Sequence, residues 1–117
     1  MKLSKGLQKV YTQEQQTAGE AYRYAQIIAW GPVVFQTARI MVKWGILELI
    51  NQSENGLTQQ EICEQTGLSD YAVKCLLEAS LSIGIVMVNQ ETDRFSITKA
   101  GWFLLNDKST RVNIDFN

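Results

Sequence analysis

The sequence of 117 residues predicts a mainly α-helical fold with a small β-hairpin, arranged as a winged helix-turn-helix after one or two N-terminal helices. Apolar residues recur at helical spacing over several stretches, and helix-capping residues and glycines separate these stretches. Two short apolar segments flank a polar turn late in the chain, which is typical of a hairpin. We expect an N-terminal tail and helix in residues 1–34, the winged helix-turn-helix in 35–105, and a tail in 106–117.

The first helix is predicted from Gln13 to Trp30, after a polar, lysine-containing tail that we expect to be frayed. Its apolar residues recur at spacings of three and four, and most are alanine, which allows a partner helix to approach closely. Gly31-Pro32 ends the helix, because proline cannot continue it and restricts the residue before it. The predicted dimer interface is this apolar stripe, namely Ala18, Ala21, Tyr22, Ala25, Ile28 and Ala29.

A second helix is predicted from Val33 or Val34 to about Asn51, and it is apolar over more than one face. Such a helix is usually buried against two neighbours. Gly45 inside it costs about 1 kcal/mol relative to alanine, so we expect a bend or a close backbone contact there.

The helix-turn-helix follows. Thr58-Gln59-Gln60-Glu61 is a capping box, in which the Thr58 hydroxyl accepts from the backbone of Glu61 and the Glu61 carboxylate reaches back. Gly67 ends that helix, and Ser69 caps the next one. The second helix closes at Gly84, and its predicted apolar residues are Val73, Leu76, Leu77 and Leu81.

The hairpin is predicted as two strands, Ile85–Val88 and Phe95–Ile97, around a polar turn. Thr98 can cap a last short helix from Lys99 to Leu105. After it we expect a loop in residues 106–111 and then an alternating apolar segment in which Ile114 and Phe116 are exposed. Its apolar residues are Val112, Ile114 and Phe116.

Composition excludes several functional classes. The net charge of −1 and the isoelectric point near 5.4 do not favour binding to nucleic acid or to acidic membranes. Because the chain has no histidine and only Cys63 and Cys75, a zinc site is not expected. Cys63 is predicted to be a buried thiol and Cys75 to lie nearer the surface. No apolar run approaches the roughly 20 residues of a membrane span and no signal peptide is present, so we expect a cytoplasmic protein.

The distribution of charge argues against sequence-specific recognition of DNA. Residues 35–83 carry a net charge of −3. The helix that a winged helix-turn-helix would insert into DNA offers only Lys74, flanked by Asp70 and Glu78. A protein that makes about six to ten phosphate contacts needs that many cations close to the duplex. We therefore expect no specific nucleic-acid partner.

Several segments together resemble a known domain. Three parts of the chain are similar to the N-terminal domain of S-adenosylmethionine-dependent O-methyltransferases. They are the stretch Gly45-Ile46-Leu47-Glu48-Leu49, the helix-turn-helix (Leu57–Ser69, Val73–Leu77 and Ile83–Ile85) and Arg94–Gly101. The chain departs from that family in lacking an arginine near Cys75 and a proline near Lys99. It also has no glycine-rich cofactor loop and no histidine for a catalytic base.

The resemblance implies a dimerisation and acceptor-pocket (lid) domain that is not catalytic by itself. Its partners would be a second copy and a C-terminal catalytic domain of the same protein, toward which the last residues lead. S-adenosylmethionine would bind the parent enzyme, and this chain alone would hold no catalytic, cofactor-binding or metal-binding residue. Residues that could line the acceptor pocket, if they are not plain core, are Trp30, Phe35, Met41 and Trp44.

A second interpretation remains open. The same helix-turn-helix and hairpin are found in winged-helix DNA-binding transcriptional regulators and in protein-interaction domains. The alanine-rich N-terminal helix and the nearly uncharged second helix of the helix-turn-helix favour the dimerisation domain.

Overall fold

The computed structural model describes residues 1–116 and divides the chain into two compact units, Met1–Gly31 and Pro32–Asn117. We call them the N-terminal unit and the C-terminal unit and describe each by itself. The structure is mainly helical with one two-stranded antiparallel hairpin, as the sequence predicts. No helix among residues 1–116 is long and apolar enough to cross a bilayer.

The N-terminal unit contains helix α1 (Lys5–Tyr11) and helix α2 (Ala18–Ala29). The prediction of a frayed tail is wrong for α1, which Ser4 caps by accepting a hydrogen bond from the backbone of Leu7 at 3.4 Å. Helix α2 begins five residues later than predicted, because Thr17 and Glu20 form a capping box that fixes its start.

The long second helix of the prediction is in fact two helices, α3 (Gly31–Lys43) and α4 (Ile46–Gln52). Gly45 separates them with φ of +76°, a left-handed conformation that glycine adopts without steric cost. A Cβ placed on Gly45 would meet no atom within 4 Å. The sequence predicted either a bend or a close backbone contact at Gly45. The structure shows the bend, and no backbone atom lies close to the glycine.

The helix-turn-helix consists of helix α5 (Gln59–Thr66) and helix α6 (Asp70–Ile83), and the capping residues that begin and end the two helices are as predicted. The backbone N–H of Glu61 donates to the Thr58 hydroxyl at 3.2 Å, and the backbone N–H of Thr58 donates to the Glu61 carboxylate at 3.1 Å. The Ser69 hydroxyl caps α6, while Gly67 and Gly84 end the two helices in left-handed conformations.

The hairpin pairs strand β1 (Val86–Asn89) with strand β2 (Arg94–Ile97), with Val86 opposite Ile97. On the other edge of β2, Leu57 forms an antiparallel bridge with Phe95, with N···O distances of 3.1 and 2.7 Å. The residue before α5 is thus tied to the hairpin. Thr98 then caps helix α7 (Lys99–Asn106), as predicted.

The last segment is a helix, α8 (Lys108–Phe116), where the sequence predicted a loop followed by an exposed alternating segment. The Asp107 carboxylate starts it by accepting from both the backbone N–H and the hydroxyl of Thr110, at 2.9 and 2.8 Å. Helical geometry turns Ile114 into the core, where 4% of it is exposed, and leaves Phe116 88% exposed. The expectation of exposure holds for Phe116 and is wrong for Ile114.

The hydrophobic core lies entirely in the C-terminal unit. Its fully buried side chains come from α3 to α6 and include Met41, Leu47, Ile50, Ile62 and Leu77. In the N-terminal unit, by contrast, none of the described residues is buried. The core therefore belongs to the C-terminal unit alone.

Candidate self-association surface

Helix α2 presents the predicted interface stripe on one face. Of its six residues, Ala21 is half-buried and the other five are exposed, with Tyr22 and Ile28 exposed by 69% and 63%. Uncovered tyrosine and isoleucine side chains on a helix with no core of its own are typical of a surface that binds another protein. The four alanines of the stripe keep this face flat enough for two helix backbones to approach closely.

A second group of exposed apolar side chains lies on the back of α2, and the sequence analysis did not include it in the interface. Tyr24, Ile27 and Trp30 are 55%, 40% and 61% exposed, and they follow one another at intervals of three residues. With about 3.6 residues per turn, Ile27 lies nearly opposite the middle of the stripe. The spacing of Tyr24 and Ile27 is present in the sequence, but both residues fall outside the single apolar stripe that predicted the interface.

The four residues predicted to line a pocket differ in how deeply they are buried. Met41 is 0% exposed and belongs to the core, which is the plain-core alternative that the sequence left open. Phe35 is half-buried against the same core. Trp30 is exposed at the end of α2 in the N-terminal unit. Trp44 is 55% exposed at the end of α3, beside a shallow depression of about 220 Å³ that is lined by Gln36, Arg39, Ile40, Lys43 and Trp44.

The helix-turn-helix carries little free positive charge. Lys74 is exposed on α6 between Asp70 and Glu78. On the hairpin, Arg94 binds the Glu61 carboxylate at 3.1 Å and the backbone oxygen of Gly56 at 3.0 Å. The arginine is therefore occupied within the fold, and its guanidinium holds the hairpin to the start of α5.

The two cysteines lie on neighbouring helices in different surroundings. Cys63 is half-buried, where the prediction was a buried thiol, and its Sγ lies 3.9 Å from a carboxylate oxygen of Asp70. Burial raises the pKa of the Cys63 thiol, and the neighbouring carboxylate raises it further. Cys75 is exposed beside Tyr71, and its hydrogen bond raises the pKa of that tyrosine. Residues 1–116 contain no group of three or more side chains placed to hold a metal ion.

Comparison with known proteins places these features in a family context. A family model described as the Dimerisation2-like domain matches residues 22–95, which begin within α2 and end in β2. No curated protein sequence matches the chain significantly. The match starts inside the helix that carries the exposed stripe.

One solved structure, described as "A Pericyclic Reaction enzyme", shares this fold with a TM-score of 0.67 and 14% sequence identity. The aligned region covers 94% of this chain and 26% of that chain. The chain thus spans about a quarter of the length of that enzyme, and at this identity the likeness shows the fold alone.

Proposed function

Because the chain belongs to the Dimerisation2-like domain family, we propose that it is the homodimerisation and acceptor-pocket (lid) domain of a longer S-adenosylmethionine-dependent methyltransferase. In this proposal the 117-residue chain is not catalytic. A C-terminal domain of the same protein would bind the cofactor and carry out the transfer, and nucleic acid would not be a specific partner.

The observation that carries the dimer is the exposed stripe on α2. A helix with large apolar side chains and no buried residue leaves apolar surface in water, at a cost of about 25 cal/mol per Å². A second copy covers such a surface most simply by isologous pairing, in which the stripe of one copy lies against the same stripe of the other.

The methyltransferase part rests on the resemblance of residues 35–105 to the N-terminal domain of that family. The lid role is supported by Trp44, which is 55% exposed beside a shallow depression and is accessible to form one wall of a pocket. The similar structure is about four times as long as the region that it shares with this chain. This length is what a domain within a larger enzyme would give.

A second candidate is the dimerisation domain of an enzyme that catalyses a different reaction. It is favoured by the similar structure, whose description names a pericyclic reaction instead of a methyl transfer. Both candidates share the dimer and differ in the chemistry of the domain that follows.

The dimer is tested by light scattering on the purified chain, where a mass near twice 13.2 kDa is expected. Ala25→Glu places a carboxylate in the middle of the stripe and should give a monomer. Gln26→Glu is the matched control, because it adds the same charge one residue along α2 but outside the stripe. A wild-type chain that is monomeric at tens of micromolar would contradict the proposal.

The two chemistries are separated by calorimetric titration with S-adenosylmethionine. The 117-residue chain should give no binding heat, whereas the polypeptide encoded by the complete reading frame should bind the cofactor. A full-length protein that dimerises but does not transfer a methyl group from the bound cofactor would favour the second candidate.

A further inference from the structure

We infer that the depression beside Trp44 is a binding site for a single-ring aromatic carboxylate. In this site the Arg39 guanidinium binds the carboxylate, and the Trp44 side chain contacts the ring. The inference rests on the proposed lid role and names the class of ligand that this wall contacts. It does not depend on the dimer or on the reaction that a following domain catalyses.

The residues that line the depression lie on one face at the end of α3. Gln36, Ile40 and Trp44 follow one another at intervals of four residues, and Arg39 and Lys43 do the same. The backbone N–H of Trp44 donates to the oxygen of Ile40 at 2.9 Å, so the last helical turn includes Trp44. Residues three and four positions apart are neighbours on a helix surface. The guanidinium of Arg39 and the ring of Trp44 therefore border the same depression.

Arg39 is a half-buried cation that has no partner among the described residues. It takes part in no hydrogen bond and in no salt bridge there. The two other half-buried arginines are occupied, because Arg94 forms a salt bridge and Arg111 donates to the backbone oxygen of Leu105 at 3.2 Å. A guanidinium presents a planar fork of N–H donors that matches the two oxygens of a carboxylate. The fold thus leaves one such fork open beside an exposed aromatic side chain.

The charge of the depression favours a ligand with a single negative charge. Lys43 carries a second positive charge, but its Nζ lies 3.1 Å from a carboxylate oxygen of Asp115, which offsets that charge. The guanidinium of Arg39 is the positive charge that is left to bind a ligand. A carboxylate matches it, whereas a phosphate ester carries about −1.5 to −2 at pH 7 and needs more than one cation. A carboxylate is therefore the acidic group that fits.

The volume of the depression limits the ligand to one ring. A cavity of about 150 Å³ holds benzene, and pockets for drug-sized ligands occupy about 300–1,000 Å³. At about 220 Å³ the depression has room for a molecule the size of benzoate and is too small for a nucleotide. Trp44 and the half-buried Ile40 supply apolar surface for the ring. Because the depression covers only one side of the ligand, we expect a dissociation constant on the order of 1 mM.

The test is a titration of the isotopically labelled 117-residue chain with benzoate, followed by nuclear magnetic resonance of the indole N–H groups. Trp30, Trp44 and Trp102 are similarly exposed, at 61%, 55% and 49%, so the first and last report non-specific stacking. Trp44→Phe identifies the Trp44 signal. We expect benzoate to shift this signal saturably and to leave the signals of Trp30 and Trp102 in place.

Two variants and two further probes show which groups recognise the ligand. Arg39→Gln removes the guanidinium and should weaken benzoate binding at least about tenfold. Arg23→Gln is the matched control, because it makes the same change at an exposed position of α2, and it should change the constant less than about threefold. Acetate has no ring and benzamide has no charge, so each should bind at least about tenfold more weakly than benzoate.

A Trp44 signal that does not respond to benzoate, or that responds equally in Arg39→Gln, would overturn the inference. Benzamide that binds as tightly as benzoate would also overturn it, because the carboxylate would then contribute nothing. Light scattering and cofactor titration decide the proposed function separately. A flat benzoate titration therefore leaves the proposed domain role standing, and a saturable one holds whether or not the full-length protein transfers a methyl group.

Discussion

The two units of the chain begin a helix with the same local device and then differ in everything that follows. Thr17 and Glu20 start α2, and Thr58 and Glu61 start α5, with the same pair of hydrogen bonds at 3.2 and 3.1 Å. One residue after its capping box, α5 places Ile62 in the core at 0% exposure, whereas α2 has no buried residue.

This difference separates helix capping from burial of the helix, two contributions to structure that are usually found together. A capping box fixes where a helix begins because it satisfies backbone donors locally. Burial depends on what lies across from the helix, and α5 packs against the core of the C-terminal unit. Helix α2 has no buried residue, so its apolar side chains form no core within the N-terminal unit.

The largest expected effect is a matched pair of isoleucine truncations. Ile62→Ala should lower the free energy of unfolding of the C-terminal unit by about 2–5 kcal/mol, because it leaves a cavity in the core. Ile28→Ala makes the same chemical change on α2, and it should alter that free energy by less than about 0.5 kcal/mol while weakening the dimer. Urea denaturation measures both variants. Equal destabilisation by the two would mean that α2 is part of the same cooperative core.

A pair of glycine substitutions should act in opposite directions. Gly56 has φ of +81°, and a Cβ there would lie 2.5 Å from the backbone oxygen of Phe95, so Gly56→Ala has to displace the hairpin. We expect a loss of about 2–4 kcal/mol. Gly19 lies in α2 with nothing within 4 Å of an added Cβ, so Gly19→Ala should increase helix content and stabilise α2 by about 0.5–1 kcal/mol.

Gly45→Ala is the control for Gly56→Ala, because Gly45 has a similar φ of +76° but open space around it. It should cost only the roughly 1–2 kcal/mol of a left-handed alanine. If thermal unfolding shows equal losses at the two positions, the contact with Phe95 contributes nothing beyond the backbone conformation.

A smaller effect is expected from a hydroxyl inside the core. Ser80 is 0% exposed on α6, and its Oγ has no hydrogen-bond partner among the described residues. Ser80→Ala removes an unsatisfied polar atom and should raise the free energy of unfolding by about 1 kcal/mol. Ser82→Ala, on the exposed side of the same helix, should change it by less than about 0.5 kcal/mol. Destabilisation by Ser80→Ala would show that the hydroxyl is satisfied in solution.

The two capping boxes should differ in how acid affects them. Hydrogen bonds from Thr58 hold the pKa of Glu61 below its usual 4.5, with a smaller contribution from Arg94, and Thr17 lowers the pKa of Glu20 in the same way. A lowered pKa in the folded state means that the carboxylate stabilises the fold above pH 4.5 and loses this effect as the pH falls through the lowered value.

Glu61→Gln should therefore reduce the acid dependence of unfolding of the C-terminal unit, measured by urea denaturation between neutral and acidic pH. Glu20→Gln should leave that dependence unchanged and reduce only the helix content of α2. The same change in both variants would indicate that the two units unfold together.

The parts of the fold that the sequence predicted well are those set by adjacent residues. Thr58, Ser69 and Thr98 begin their helices, and Gly67 and Gly84 end theirs, because each acts on a backbone group within three or four positions. The helices that we missed used the same chemistry. Asp107 and Thr110, whose hydrogen bonds start α8, form a capping pattern that is visible in the sequence. The alternating apolar residues after them nevertheless favoured an extended segment.

The candidate surface was harder to predict, because it depends on what packs against each helix face. The apolar character of Met41 and Trp44 is similar in sequence, yet one is fully buried and the other 55% exposed. The break at Gly45 separates α3 from α4, and the helical spacing of apolar residues continues across it, so that spacing did not predict two helices. Spacing located the front stripe of α2, whereas the importance of Tyr24 and Ile27 became clear only from their exposure.

The bridge between Leu57 and Phe95 has a consequence for the order of folding. It joins two residues that are 38 positions apart, with α5 and α6 between them, whereas both of those helices form from neighbouring residues. Contacts distant in sequence carry a loop-closure cost that local contacts do not, so we expect the helix pair to form before the bridge between Leu57 and Phe95. Because the backbone N–H of Phe95 is bonded to Leu57 only after that closure, we expect it to gain protection from solvent later than the amides of α5 and α6.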